Sequence, residues 1–226
     1  MAPAASKTTD DTRRNEFNLL LVGETGVGKS TFINAFINYM TFKKLADAIN
    51  HDKVEALIPS KFSVTDDNFE EKEISFGKDE NESFEVGQSS TQTARSYKIR
   101  IGNGNLRLID TPGIGDTRGI TKDEENFDRL LATIGELENI HGICVLLKPN
   151  NARLTVLFDY CIKQLLSRLQ KSASQNIIFI FTNSRSTFYR PGDTAGPLKK
   201  ILENIASKPP HVVIPFKKEN VFLHGQ

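Results

Sequence analysis

The chain of 226 residues has little cysteine, little net charge and no long apolar run, and each shortage removes a class of protein. Its two cysteines, Cys144 and Cys161, cannot build a disulfide framework or a Cys-based zinc site. The four histidines are scattered, none with a second His or Cys at ligand spacing, so no metal finger is expected. Lys plus Arg is 29 against 28 for Asp plus Glu, a formal net charge of +1 that offers no field to hold nucleic acid. No apolar stretch approaches the roughly 20 residues that cross a bilayer. The first sixteen residues, MAPAASKTTDDTRRNE, lack the apolar core of a secretory signal and read as a disordered lead-in. A reducing, cytoplasmic setting is the expectation that remains. What is present is ordinary: 38% hydrophobic and 25% charged residues, enough to build one α/β domain over 17–226.

The charge is uneven along the chain. Between Thr65 and Glu85 nine acids stand against two lysines, and from His141 onward twelve Lys or Arg stand against four acids. Such polarity either orients two copies head to tail or marks a solvated acidic loop, and the loop is the plainer reading. Residues 45–84 follow no clear period and are expected to be either an insertion with small elements of its own, held away from the ligand site, or a mobile, poorly ordered loop.

Apolar runs at Phe17 to Val22 (FNLLLV), Ile143 to Leu147 (ICVLL) and Ile177 to Phe181 (IIFIF) predict buried strands. Tyr97, Ile99 and Ile101 alternate with Lys98 and Arg100, and Gly102-Asn103-Gly104-Asn105 then turns the chain into Leu106 to Asp110, a hairpin. Helical stripes run over Lys29–Phe42, Asp123–Leu137, Thr155–Leu169 and Leu198–Ala206. Strands alternating with helices predict a mostly parallel sheet covered on both faces, with one antiparallel edge strand from the hairpin.

Gly23-Glu24-Thr25-Gly26-Val27-Gly28-Lys29-Ser30 matches G-x-x-x-x-G-K-[ST] in full, between an apolar strand and a helical stripe. The glycines let successive N–H groups turn inward on phosphates, the helix start adds its positive end, and Thr31 continues the first turn. Lys29 is expected to reach the outer phosphates and the Ser30 hydroxyl to bind Mg²⁺. In Leu108-Ile109-Asp110-Thr111-Pro112-Gly113, an Asp ending an apolar strand is placed to hold a Mg²⁺-bound water. Gly113 can bring its N–H to the γ-phosphate.

GETGVGKST followed by DTPGIGDT resembles the septin and immunity-associated (GIMAP-type) branch of the translation-factor-related GTPases. The resemblance implies a Ras-like three-layer P-loop fold with a long insertion before switch I. It also implies GTP and GDP as ligands, Mg²⁺ as cofactor, and homodimers or filaments through the nucleotide face. Within Ser89-Ser90-Thr91-Gln92-Thr93, Thr91 resembles the switch threonine that closes on Mg²⁺, with Thr93 as the alternative. Ras-like relatives carry [NT]-K-x-D for the base, but this chain has Thr182-Asn183-Ser184-Arg185, and arginine cannot accept a hydrogen bond. Asn183, Arg185, Asn220 and Glu219 are the candidate base contacts, with Asp193 a further acceptor if its loop folds back.

Ile114 stands where Ras-type enzymes keep the water-orienting Gln, so an isolated subunit is expected to be a slow GTPase or none. Asp116 and Arg118 are candidate substitutes. Arg153 resembles by position an arginine that GIMAP-type relatives supply across a dimer. Three readings follow: a guanine-nucleotide switch that hydrolyses in trans, a septin-like scaffold with little turnover, and a P-loop ATPase or kinase allowed by the missing Asp. The chain stops soon after Asn220, where a Ras-like fold has a final helix, so a longer protein is expected.

Overall fold

The apolar run FNLLLV forms the middle of β1 (Glu16–Gly23), the strand on which the sheet is built. The computed structural model describes residues 16–50, 56–76, 94–114, 120–154, 156–169 and 171–225. β1 leads into α1 (Lys29–Thr41), and a short helix α2 (Leu45–Ile49) follows. A separate hairpin of β2 (Ser60–Thr65) and β3 (Glu71–Phe76) comes next, then β4 (Arg95–Ile101) and β5 (Gly104–Asp110). The rest alternates: α3 (Ile120–Gly135), β6 (Gly142–Leu147), α4 (Val156–Arg168), β7 (Ile177–Phe181), α5 (Ala195–Ser207) and β8 (Val221–Leu223). The main sheet runs β4-β5-β1-β6-β7-β8, with β4 antiparallel to β5 and every other pair parallel.

Burial explains the strand sequences. All six residues of β6 are buried, which is why ICVLL is a continuous apolar run rather than an alternation. Side chains of β1 part to the two faces: Leu20 and Val22 join Phe158, Leu165, Leu198 and Leu202 in one core. Leu21 joins Val27, Ile33 and Ile58 in the other. The amphipathic stripes of α3, α4 and α5 bury Leu130, Phe158 and Leu202 on the first face, while α1 covers the second. Each fully buried Leu or Ile contributes about 1.5–3 kcal/mol by leaving water.

The stretch read as an insertion holds α2 and the β2–β3 hairpin, with 51–55 and 77–84 outside the described residues. Asn34 of α1 fastens it. Asn34 donates to the Ile58 carbonyl at 2.8 Å and accepts the Ile58 N–H at 3.0 Å, and the Ile58 side chain is fully buried. At the sheet margins, β4 exposes Lys98 and Arg100, and β8 is three residues long. No described helix is long and apolar enough to cross a membrane.

Candidate functional site

Parallel strands deliver their carboxyl ends to one edge of the sheet, and the phosphate loop begins there at Gly23. The loop turns through Gly26 (φ 71°) and Gly28 (φ 96°), left-handed conformations that glycine adopts without strain. Gly28 is the N-cap of α1 and brings no side-chain bond, so the helix start keeps its dipole and N–H groups for an anion.

Lys29 is buried beneath this loop, its Nζ donating to the carbonyls of Gly23 at 3.1 Å and Glu24 at 3.2 Å. Burial pushes its ammonium down to about 8, against the pull of Asp110 and Glu24. Ser30 Oγ donates to Asp110 Oδ2 at 2.8 Å, and Asp110 is fully buried at the end of β5. The Thr111 hydroxyl donates to the Leu21 carbonyl at 2.7 Å, tying the turn after β5 to β1. The Ile114 N–H donates to the Gly23 carbonyl at 3.1 Å, and its carbonyl accepts the Thr25 N–H at 2.8 Å. A Cβ on Gly113 would lie 2.5 Å from Thr25 Cα, so only glycine allows this approach. Ile114 is buried and brings no polar group to the site.

This donor set fits the phosphates and the metal that the motif implies. A buried ammonium hydrogen-bonded to two carbonyl oxygens is further stabilised by an incoming anion, and the Ser30–Asp110 oxygen pair suits a hard divalent cation such as Mg²⁺. Thr91, Thr93, Asp116 and Arg118 lie outside the described residues. Thr31 is exposed in the first turn of α1.

The base corner is built from β7 and β8. The Thr182 hydroxyl donates to the Val27 carbonyl at 2.7 Å and to Leu147 at 3.3 Å, clamping the end of β7 to the phosphate loop. Asn183 follows, exposed and left-handed (φ 53°), and Arg185 is exposed in the turn Ser184–Thr187. Ser184 donates its N–H at 3.0 Å and its hydroxyl at 2.9 Å to the His224 carbonyl, so the residue after β8 is part of this corner. The His224 ring stacks edge-on to Phe32 and Tyr39 with centroids 5.6 and 5.9 Å away, and burial lowers its pKa from 6.5.

Two expected base contacts stand elsewhere. Asn220 donates to the carbonyls of Pro215 at 2.7 Å and Ile177 at 3.1 Å, and Ile177 is the first residue of β7. The pairing of Phe179 with Val221 puts Asn220 and the exposed Glu219 at the amino-terminal edge, opposite the phosphate loop. Asn220 is a staple beneath β7, joined to the carbonyls at the edge away from the phosphate loop. Asp193 does fold back: its N–H meets Asn150 Oδ1 at 3.3 Å, and Thr194 donates to the Lys148 carbonyl at 2.7 Å. It stands exposed at the carboxyl edge beside the loop after β6, the same loop that carries the exposed Arg153. Sequence reading passed over Thr111, Thr182 and His224 as site residues. The first position of [NT]-K-x-D was a signal for Thr182, whereas nothing local marks His224.

A mostly parallel six-stranded sheet, with this loop, buried lysine and Ser–Asp oxygen pair at its carboxyl edge, defines a GTPase-type P-loop α/β domain. The family model for septins matches residues 13–137, more than half of the chain, and the chain belongs to the septin family. It is 23% identical over 197 residues to GTP-binding protein A of Dictyostelium discoideum, covering 84% of this chain and 34% of that protein. With Septin-8 of Rattus norvegicus it shares 40% identity over 52 residues, 23% of this chain and 11% of that one. The chain thus spans about a third of the first relative and about a tenth of the second. Toc33 from Arabidopsis thaliana, solved with Mg²⁺ and GMPPNP, shares the fold at a TM-score of 0.53 and 12% identity. That alignment covers 96% of this chain and 72% of Toc33.

Proposed function

We propose that the chain binds GTP and GDP with Mg²⁺ and is a slow GTPase whose triphosphate state pairs with a second copy. The observation that carries this is the buried Lys29 under a glycine-turned, uncapped helix start, with Ser30 and Asp110 joined at 2.8 Å beside it. Membership of the septin family, the name of the Dictyostelium relative and the nucleotide held by Toc33 support guanine and Mg²⁺ as the ligands. In this reading Gly23 to Thr31 cradle the phosphates, Ser30, Asp110 and Thr91 hold Mg²⁺, and the Gly113 N–H meets the γ-phosphate. When bound, the metal would neutralise charge on the phosphates. Lys29 orients them, and the buried Ile114 wall keeps one side of the site dry. Ile114 cannot orient a water, so the isolated subunit is slow and a group from a second copy would speed hydrolysis. Arg153 or Arg118 of a second copy facing the nucleotide would supply it, worth ~10³–10⁵ in rate. The two buried free thiols, with Cys144 pushed up to about 12, suit a cytoplasmic, reducing setting.

Equilibrium binding of GTP, GDP, ATP and ADP to the purified chain tests the first step. Guanine nucleotides are expected to bind more tightly, and Lys29→Ala to weaken them by about a hundredfold or more. Unaltered binding in that variant, or tighter ATP binding in the native chain, would overturn the reading.

A further inference from the structure

The base corner is rich in donors and lacks a carboxylate. Residues 182–190 and 223–225 contain no Asp or Glu. Three of their hydroxyls are engaged: Thr182 on Val27, Ser184 on His224, and Thr187 on the carbonyls of Ser184 at 3.0 Å and Arg190 at 2.7 Å. The turn is rigid, since the Arg185 carbonyl accepts the Phe188 N–H at 3.1 Å and the Ser184 carbonyl accepts that of Tyr189 at 2.9 Å. Arg185 stands exposed on this fixed turn, three residues beyond the clamp that sets β7 against the phosphate loop. Asp193, also on the carboxyl edge, belongs to a turn pinned to Asn150 after β6.

A guanidinium offers two parallel N–H groups and accepts nothing. The guanine edge that matches it is O6 with N7, two acceptors side by side, the same pairing by which arginine reads guanine in nucleic acids. The N1 and 2-amino donors would meet another donor. Adenine presents its 6-amino donor where O6 would be, leaving the guanidinium half paired. We infer that Arg185 reads the O6/N7 edge, so that the site selects 6-oxopurine nucleotides and is indifferent to the 2-amino group. This rests on the nucleotide-binding reading above and specifies which face of the base is recognised.

Equilibrium affinities for GTP, ITP, 7-deaza-GTP and ATP separate the possibilities, measured on the native chain, Arg185→Ala and Lys29→Ala. The native chain is expected to hold ITP within about threefold of GTP, and 7-deaza-GTP and ATP about tenfold or more weaker. Arg185→Ala should bring GTP down to the level of 7-deaza-GTP while 7-deaza-GTP itself moves less than about threefold. Equal binding of GTP and 7-deaza-GTP with ITP about tenfold weaker would overturn the inference, assigning the base to an acceptor such as Asp193. An equal loss for all four nucleotides in Arg185→Ala would overturn it too. Both results leave the nucleotide site itself standing. If the native chain binds none of the four and Lys29→Ala changes nothing, the reading beneath falls and the inference with it.

Discussion

His224 is a neutral ring wedged against Phe32 and Tyr39, with an Nε2 that is buried and has no partner among the described residues. Its pKa is lowered from 6.5 by burial, so the unfolded chain takes up this proton at a higher pH than the folded one. In the window between the folded value and 6.5 the unfolded state binds more protons, and stability therefore falls as the solution is acidified through it. Urea melts across this window should show a falling midpoint, and His224→Phe, which keeps the ring packing, should flatten the trend. A slope unchanged by that substitution would assign it to other groups. Lys29, Ser30 and Asp110 were legible in the sequence because their motifs are local and chemically strict. Thr182 acts on Val27 from 155 positions away, and only the fold shows that contact. Asn220 adjoins a strand of the base corner in sequence, while the strand's direction carries it to the far edge.

Among the elements, the β2–β3 hairpin is the least self-sufficient. Its alternation is present in SKFSVT and EKEISF, and Phe62 faces Ile74 across the pair. Yet Phe62 is 46% and Ile74 36% exposed, so the pattern is not matched by a core, and two strands alone are marginal in water. That is why the stretch resisted assignment, whereas β6 and β7, wholly or almost wholly buried, were plain from their apolar runs. The hairpin depends on Asn34, which bonds Ile58 twice and reaches Ser60 Oγ at 3.0 Å. Asn34→Ala should cost about 1–3 kcal/mol by leaving the Ile58 amide unpaired and its carbonyl with the Ser60 hydroxyl alone. Amide exchange should quicken through Ser60–Thr65 and Glu71–Phe76 while β1 and β6 keep their protection. Equal exchange in both proteins would show that the hairpin is held by something other than this tether. Asp66 supports its turn by accepting the N–H groups of Asn68 at 2.9 Å and Glu70 at 3.1 Å, which lowers its pKa.

For the molecule as a whole, the buried Ile114 brings no polar side chain to the site, and the proposed reading makes turnover depend on a second copy. Specific GTPase activity is expected to rise with protein concentration from nanomolar to tens of micromolar. Mixing native chain with Arg153→Ala should give less than additive rates. Flat specific activity would leave a nucleotide-bound scaffold or a slow monomer. The margins of the sheet bear on how such pairs can form. An open strand edge is a template on which further strands can add without limit, which is the route to aggregation. Here one margin is β4, carrying Lys98 and Arg100, and the other is β8, too short at three residues to seat a partner strand firmly. Strand-on-strand growth is therefore disfavoured at both ends, by charge at one and by length at the other. Copies of this domain can crowd at high concentration without their backbones fusing into a common sheet.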